Sequence, residues 1–209
     1  MIFEDRAEAG RALAKKLERY AGRPDVALFA LPRGGVVTGA EVAKVLKLPL
    51  GIIVTRKIGA PYNPEYALGA LAETGEMLWG EEGEAVAEDA DVKKIVAEEK
   101  AEAARRITKY RHGSPLPDLR GKTAVIVDDG IATGLTMRAA VAAARHQRAA
   151  EIVVAVPHGA KDSLRQLRRE VDEVVALDEP AWYGAVGAFY KDFPQTSDEE
   201  VLSLLKNYG

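Results

Sequence analysis

Short uninterrupted apolar runs alternate with helix-periodic segments along most of this 209-residue chain. Strands that are buried on both faces of a parallel sheet read as continuous apolar runs, whereas helices repeat apolar residues three or four positions apart. The alternation therefore predicts an α/β fold, with a central, mainly parallel five-stranded sheet and helices on both faces. The five predicted strands are 26–31, 50–55, 123–129, 151–157 and 173–177.

Helical spacing and turn residues predict the remaining elements. Helices are expected at 5–20, 36–47, 82–111, 134–147 and 161–169, with a last one from about Ser197. The runs ALGALA and EMLWG predict a short antiparallel hairpin that turns at Thr74 and Gly75.

The pattern changes after Asp178 into an aromatic, turn-rich stretch. We therefore expect a single domain over residues 1–209, since a chain of this length fits one core. Its core would span about 20–177. A small C-terminal hood, or cap, would be formed by about 178–209 together with the N-terminal segment.

Composition excludes several classes of protein. The 29 basic and 32 acidic residues give a net charge of −3, which offers no general attraction to nucleic acid or to an anionic membrane. The lack of cysteine excludes disulfides, thiolate metal sites and cysteine nucleophiles. No apolar stretch is long enough for a membrane helix. Acidic residues stand at the start of the chain, where a signal peptide would have its apolar centre. We expect a soluble, cytoplasmic protein with neither a membrane partner nor a clear nucleic-acid surface.

The segment AVIVDDGIATGLTMRAA (124–140) carries most of the chemistry. Ligands of an open parallel sheet bind beyond the carboxyl ends of its strands, where Asp128 and Asp129 fall. In the loop that follows, small residues let backbone N–H groups converge on an anion at a helix N-terminus. The Thr133 and Thr136 hydroxyls can donate to phosphate, and the acids can accept from sugar hydroxyls. The segment predicts a sugar-phosphate clamp; the alternative is an ordinary turn with solvated acids.

The residues VIVDDGIATGLT resemble the phosphoribosyl pyrophosphate motif of the phosphoribosyltransferases, in which four apolar residues and two acids precede a loop ending in TG-x-T. The resemblance implies that the two acids bind the ribose hydroxyls and that the 132–136 loop holds the 5-phosphate. Gly130 stands where a branched apolar residue is usual. The ligand-binding residues implied for this segment are Asp128, Asp129, Gly130, Ala132, Thr133, Gly134 and Thr136.

A second candidate site is the turn Leu31-Pro32-Arg33-Gly34-Gly35, after the first strand. Paired glycines permit unusual dihedral angles and close backbone approach, and an arginine adds a cation with bidentate geometry. Pyrophosphate is a fitting ligand, although a plain turn is the alternative. The resembled family binds pyrophosphate at this place, which implies that role for Arg33, Gly34 and Gly35.

A third candidate is the segment RKIGAPYNPEY (56–66), whose glycine and prolines predict a long loop. Such a loop can close as a lid that brings Arg56 and Lys57 to a leaving group. The alternative is a rigid loop with a basic pair at its start. The family has a mobile loop here, which implies pyrophosphate contacts from both cations.

The resemblance implies a phosphoribosyltransferase: a glycosyltransferase for pentosyl groups that acts in nucleotide metabolism. It would move 5-phosphoribosyl from phosphoribosyl pyrophosphate to a nitrogenous acceptor, foremost a nucleobase, and release pyrophosphate. Because charge builds on the leaving group, Arg33, Lys57, Asp128 and Asp129 are the implied catalytic residues. Mg²⁺ would be the cofactor, held by substrate phosphates and by the two acids, directly or through water. The family's enzymes commonly dimerise, so we expect a homodimer.

The acceptor site and one alternative function stay open. His158 follows the fourth strand, and Trp182 and Tyr183 lie in the aromatic stretch; all three are candidates for acceptor contacts, although aromatic clusters more often simply pack. A non-catalytic protein of the same fold that senses phosphoribosyl pyrophosphate or a nucleotide is the alternative function. A phosphohydrolase with Asp128 as nucleophile lacks its supporting acid and lysine, and a dehydrogenase lacks GxGxxG.

Overall fold

The computed structural model describes all 209 residues, and its eight strands form two sheets. The strands are β1 (Val26–Ala30), β2 (Leu50–Ile52), β3 (Thr55–Ala60), β4 (Asn63–Ala72), β5 (Met77–Trp79), β6 (Thr123–Val127), β7 (Glu151–His158) and β8 (Glu173–Asp178). The larger sheet has the order β2-β1-β6-β7-β8, and every neighbouring pair in it is parallel. The predicted α/β fold with a five-stranded parallel sheet is confirmed.

Seven helices surround this sheet. They are α1 (Arg6–Lys16), α2 (Gly34–Leu46), α3 (Glu81–Val86), α4 (Ala90–Arg111), α5 (Leu135–His146), α6 (Lys161–Leu167) and α7 (Asp198–Tyr208). Successive residues of a strand face opposite sides. Val125 accordingly packs in the core that α1 and α2 cover, whereas Ile126 packs in the core beneath α5 and α6. Helices therefore cover both faces, as predicted.

The smaller sheet is antiparallel, with the order β3-β4-β5. The predicted hairpin of β4 and β5 is confirmed, and Gly75 in its turn has a φ of +105°. The predicted strand 50–55 is wrong in extent, because β2 ends at Ile52 and Thr55 already begins β3.

The predicted loop 56–66 is also wrong, since most of it lies in β3 and β4 with irregular pairing around Gly59. A Cβ on Gly59 would lie 2.5 Å from the carbonyl oxygen of Pro64. The glycine thus lets two strands approach closely where the sequence indicated a break.

Several helix boundaries differ from the prediction, among them the end of α6, which is Leu167 and not 169. The helix expected at 82–111 is two helices, α3 and α4. A Cβ on Gly83 would overlap the Leu68 carbonyl, so α3 lies tight on β4, and the chain turns before α4 packs against β3. The first helix ends at Lys16, before a 3-10 turn, and α2 begins at Gly34, two residues early.

Residues 179–197, which we call the tail segment, connect β8 to α7 and lie against the start of the chain. Phe3 forms a parallel bridge with Tyr190, and Phe3 N donates to the Phe189 carbonyl at 2.9 Å. As predicted, a last helix begins near Ser197, whose Oγ accepts from Glu200 N at 3.1 Å. Val201 of α7 is buried in the same core as α1 and α2. None of the helices combines the length and apolar character that a membrane span requires.

Candidate functional site

A cleft of about 580 Å³ lies at the carboxyl edge of the central sheet. Three parts of the chain line it: the end of β6 with the following loop, the β3–β4 hairpin and the tail segment. The lining residues are Lys57, Glu65, Ala67, the continuous run Asp128–Thr136 without exception, Gly184, Ala185 and Val186. All seven residues that the motif implied for the ribose and phosphate therefore border one space.

The loop after β6 presents unused backbone donors to this cleft. No backbone N–H from Ala132 to Thr136 hydrogen-bonds to a backbone carbonyl of the chain. Gly134 has a φ of +78° and precedes α5, so these groups lie at the positive end of a helix. Ser163 Oγ donates to the Ala132 carbonyl at 2.6 Å and holds the loop. Such an arrangement can bind an anion without a charged side chain.

The two acids at the end of β6 are held differently. Asp128 Oδ1 accepts from the Asp129 backbone N at 2.9 Å, and Asp129 Oδ2 accepts from Arg6 Nε at 2.7 Å. Burial raises the pKa of Asp128 well above its usual range, and repulsion from Asp129 adds to the rise. Burial also raises the pKa of Asp129, but Arg6 opposes that rise. Asp129 is therefore the member of the pair that more readily carries a negative charge.

Gly34 and Gly35, in the first turn of α2, lie directly against these acids. A Cβ on Gly35 would lie 2.5 Å from Asp128 Oδ1, and one on Gly34 would overlap the Asp129 carboxylate. Neither glycine has a positive φ, so close approach, and not an unusual dihedral angle, requires them. The Pro32–Arg33 peptide bond before them is cis.

Of the three predicted cations, only Lys57 borders the cleft, where its Nζ lies 3.0 Å from Glu65 Oε2. Arg56, its neighbour on β3, points to the other side of the strand, and its Nε lies 2.6 Å from Glu99 Oε2 of α4. Arg33 Nη1 lies 3.8 Å from Asp198 Oδ1 at the start of α7. The fold thus brings one predicted cation to the acids and pairs the other two with carboxylates elsewhere.

The acceptor candidates do not border the cleft. His158 is completely buried, its Nδ1 lies 2.8 Å from the Tyr183 hydroxyl, and its ring stacks on Phe189 at 4.5 Å. Burial lowers the pKa of His158 to about 4, so the ring is neutral at pH 7. Trp182 is 79% exposed.

Two contacts to Asp129 were not predicted from the sequence. Arg6, 123 residues away, binds its carboxylate, and the Tyr190 hydroxyl donates to its carbonyl oxygen at 2.5 Å. Glu65, the partner of Lys57, was not predicted either. No local pattern joins residues so far apart along the chain; only the position of Tyr190 in the aromatic stretch hinted at a role.

The acid pair fits a magnesium ion better than a metal caged by protein. No group of three or more His, Cys, Asp or Glu side chains is arranged to hold a metal. Mg²⁺ needs no such group, because it keeps several waters and binds largely through substrate phosphates with one or two carboxylates. Asp128 and Asp129 can supply those carboxylates.

Comparison with known proteins agrees with the motif. The family described as "Phosphoribosyl transferase domain" matches residues 2–194. A Mycobacterium tuberculosis protein, found in two strains and provisionally named a phosphoribosyl transferase, is 44% identical over 98% of this chain and 46% of its own length. The chain therefore spans about half the length of these curated relatives. The crystal structure of TT1426 from Thermus thermophilus is 38% identical, with a TM-score of 0.80 over 100% of this chain and 99% of that one. By these matches, the chain belongs to the phosphoribosyl transferase domain family.

Proposed function

We propose that this chain is a phosphoribosyltransferase that transfers 5-phosphoribosyl from phosphoribosyl pyrophosphate to a nitrogenous acceptor, foremost a nucleobase, with release of pyrophosphate. The observation that carries the proposal is the cleft in which the acid pair, the free N–H groups of the 132–136 loop and Lys57 face one another. Sugar hydroxyls need acceptors and phosphates need donors. The cleft offers both side by side.

In this proposal each part of the cleft has one task. Asp128 and Asp129 accept hydrogen bonds from the ribose hydroxyls, while the loop N–H groups and the Thr133 and Thr136 hydroxyls donate to the 5-phosphate. Lys57 stabilises the negative charge that develops on pyrophosphate as its bond to ribose breaks. The backbone at Gly34 and Gly35 borders the same leaving group. Arg33 and Arg56 join it by exchanging their present carboxylate partners for pyrophosphate.

Magnesium is part of the same proposal. Lys57 is the one cation that borders the cleft, against Glu65, Asp128 and Asp129. The phosphate-rich ligand brings further negative charge, and Asp128 and Asp129 would hold a divalent cation together with the substrate's phosphates. Bound there, Mg²⁺ would neutralise charge on the departing pyrophosphate.

The tail segment offers the acceptor a surface without charged side chains. Gly184, Ala185 and Val186 border the cleft. We propose that a flat nitrogenous ring rests there and is read by main-chain groups. His158 and Tyr183 would support this strip from behind, and the exposed Trp182 would reach the ring from solvent. The family resemblance supports the further proposals of one domain, a homodimer and a cytoplasmic location.

A sensing protein without catalysis is the second candidate. The observation in its favour is that Arg33, Arg56 and Lys57 are each paired with a carboxylate: Asp198, Glu99 and Glu65. A cleft with its cations so neutralised can bind a sugar phosphate and yet stabilise a leaving group poorly.

Calorimetric titration with phosphoribosyl pyrophosphate, with and without Mg²⁺, tests the proposal. We expect phosphoribosyl pyrophosphate to bind. Asp128→Asn combined with Asp129→Asn should weaken that binding about tenfold or more, because two carboxylates that accept hydrogen bonds from the sugar are lost. The matched control, Asp91→Asn with Asp192→Asn, changes the same charge at exposed positions and should bind normally.

A panel of nucleobases assayed for pyrophosphate release then separates the two functions. Release with one base identifies the transferase and its acceptor. Binding without release supports the sensing protein. Absence of binding by the unaltered chain overturns both, and unchanged binding by the double variant overturns the assignment of the two acids.

A further inference from the structure

Arg6 is a buried cation that the proposed chemistry does not use. It lies in the first turn of α1, is 8% exposed, and places its Nε 2.7 Å from Asp129 Oδ2. Its Nη1 donates to the Pro194 carbonyl at 2.7 Å, and its guanidinium lies 3.7 Å from the Phe193 ring centre. Arg6 does not border the cleft. It therefore reaches the cleft only through Asp129.

The guanidinium of Arg6 is enclosed on its remaining side as well. A Cβ on Gly34 would lie 3.0 Å from both its Nε and its Nη2. The first turn of α2 thus closes over a group that Pro194 and Phe193 of the tail segment already hold. A planar guanidinium held by several partners keeps one geometry, because each of its donors is fixed in direction.

Asp129 is held at two points, one from the start of the chain and one from the tail segment. Arg6 binds its carboxylate, and Tyr190 of the tail segment binds its carbonyl oxygen. These two segments are joined to each other, since Lys191 N donates to the Phe3 carbonyl at 2.9 Å and Asp192 N to that of Glu4 at 2.8 Å. Moving the tail segment would therefore disturb the Asp129 carboxylate through Arg6.

We propose that Arg6 is a positioning residue that orients the Asp129 carboxylate for the ribose hydroxyls and links the tail segment to that carboxylate. This inference rests on the proposed function, because it assumes that Asp129 meets ribose. It assigns Arg6 no contact with the ligand. In the absence of Mg²⁺, its effect must therefore fall on the ribose part of the ligand and spare the pyrophosphate part.

Two probes divide the ligand accordingly: ribose 5-phosphate and inorganic pyrophosphate, each titrated calorimetrically without Mg²⁺, because Asp129 would hold that ion against the phosphates. For Arg6→Gln we expect ribose 5-phosphate to bind about tenfold or more weakly, the size of effect for a hydrogen bond to a charged group. Pyrophosphate should bind within about twofold of normal. Arg6→Lys retains the charge without the planar fork and should recover part of the loss. Arg11→Gln, on the exposed side of the same helix, should bind both probes normally.

The coupling between Arg6 and Asp129 distinguishes a positioning role from a merely structural one. In an Asp129→Asn background, Arg6→Gln should not weaken the binding of ribose 5-phosphate any further, because the carboxylate that Arg6 orients is already lost. Equal further weakening in that background would overturn the proposal, as would equal loss of both probes in the single variant.

Folding of each variant is followed by circular dichroism and thermal melting. If Arg6→Gln does not fold, Arg6→Lys decides: a loss confined to ribose 5-phosphate supports the inference and unchanged binding overturns it. If the unaltered chain binds neither probe, the proposed function fails together with this inference. If it binds both and Arg6→Gln does so equally well, the inference alone fails.

Discussion

At the scale of single residues, Gly130 shows how a missing side chain shapes the site. A Cβ there would lie 2.6 Å from His158 Cε1 and 2.8 Å from Val186 Cγ1. The motif identifies this position as unusual, but the reason lies in residues 28 and 56 positions further along. The acids and the small loop could be predicted because the chemistry is local in sequence. The packing around them could not be predicted, because residues that are distant in the sequence provide it.

His158 makes stability depend on pH. The unfolded chain binds a proton on a histidine near pH 6.5, whereas burial delays protonation of folded His158 to about pH 4. The unfolded state therefore binds more protons between these values, and stability falls as the pH falls through that window. From about pH 7 to about pH 5 we expect a loss of about 2 kcal/mol attributable to this residue. Urea unfolding at the two pH values measures it.

Other groups titrate over the same interval, so the comparison with His158→Gln isolates the effect. This variant retains a side chain that can bond to the Tyr183 hydroxyl but cannot gain a proton. It should lose about 2 kcal/mol less than the unaltered chain between the two pH values. The matched control His112→Gln removes an exposed histidine and should keep the full loss. Equal losses in all three proteins would contradict the prediction.

At the scale of elements, the central strands could be predicted and the small sheet only in part. Every residue of β6 is buried, so its apolar run carries its own signal. The first half of β4 is exposed, and it pairs irregularly with β3. There the glycine and prolines dominate the local pattern, although cross-strand contacts determine the structure. The sequence therefore singled out Lys57, which borders the cleft, but predicted the wrong element for it.

The β3–β4 hairpin carries an ion pair that should compete with ligand. Lys57 and Glu65 both border the cleft, and an exposed pair of this kind contributes about 0.2–1 kcal/mol. Glu65→Gln removes that competition, so we expect pyrophosphate to bind up to about fivefold more tightly in calorimetric titration. Lys57→Met should weaken the same binding.

Glu84→Gln is the control for the hairpin prediction, because it removes an exposed acid that does not border the cleft. Its affinity for pyrophosphate should match that of the unaltered chain. An equal gain in pyrophosphate affinity for Glu84→Gln would mean that the effect comes from net charge alone. Unchanged binding in Glu65→Gln would show that Lys57 does not exchange Glu65 for the ligand.

At the scale of the whole molecule, the start of the chain and the tail segment meet over the carboxyl edge of the sheet. The aromatic composition after Asp178 predicted a hood, and Phe3 packs with Tyr190 in a small separate cluster. The residues predicted for the hood nevertheless pack in two places, because Val201 of α7 lies in the main core. We propose that the hood proper is the tail segment with the first residues of the chain, and that α7 is stabilised with the core.

Amide hydrogen exchange in Val201→Ala tests this division. Removing two buried methyl groups costs about 2 kcal/mol and should speed exchange in β6, where amides open with the core, by about thirtyfold. The amides of Lys191 and Asp192, which bond to the carbonyls of Phe3 and Glu4, should keep their rates if the hood opens while α7 stays packed.

Phe3→Ala is the matched control. It removes packing that is broken both when the hood opens and when the core opens, so it should speed both sets of amides. Faster exchange at Lys191 in Val201→Ala would mean that α7 opens together with the tail segment, and the hood would then extend to the end of α7.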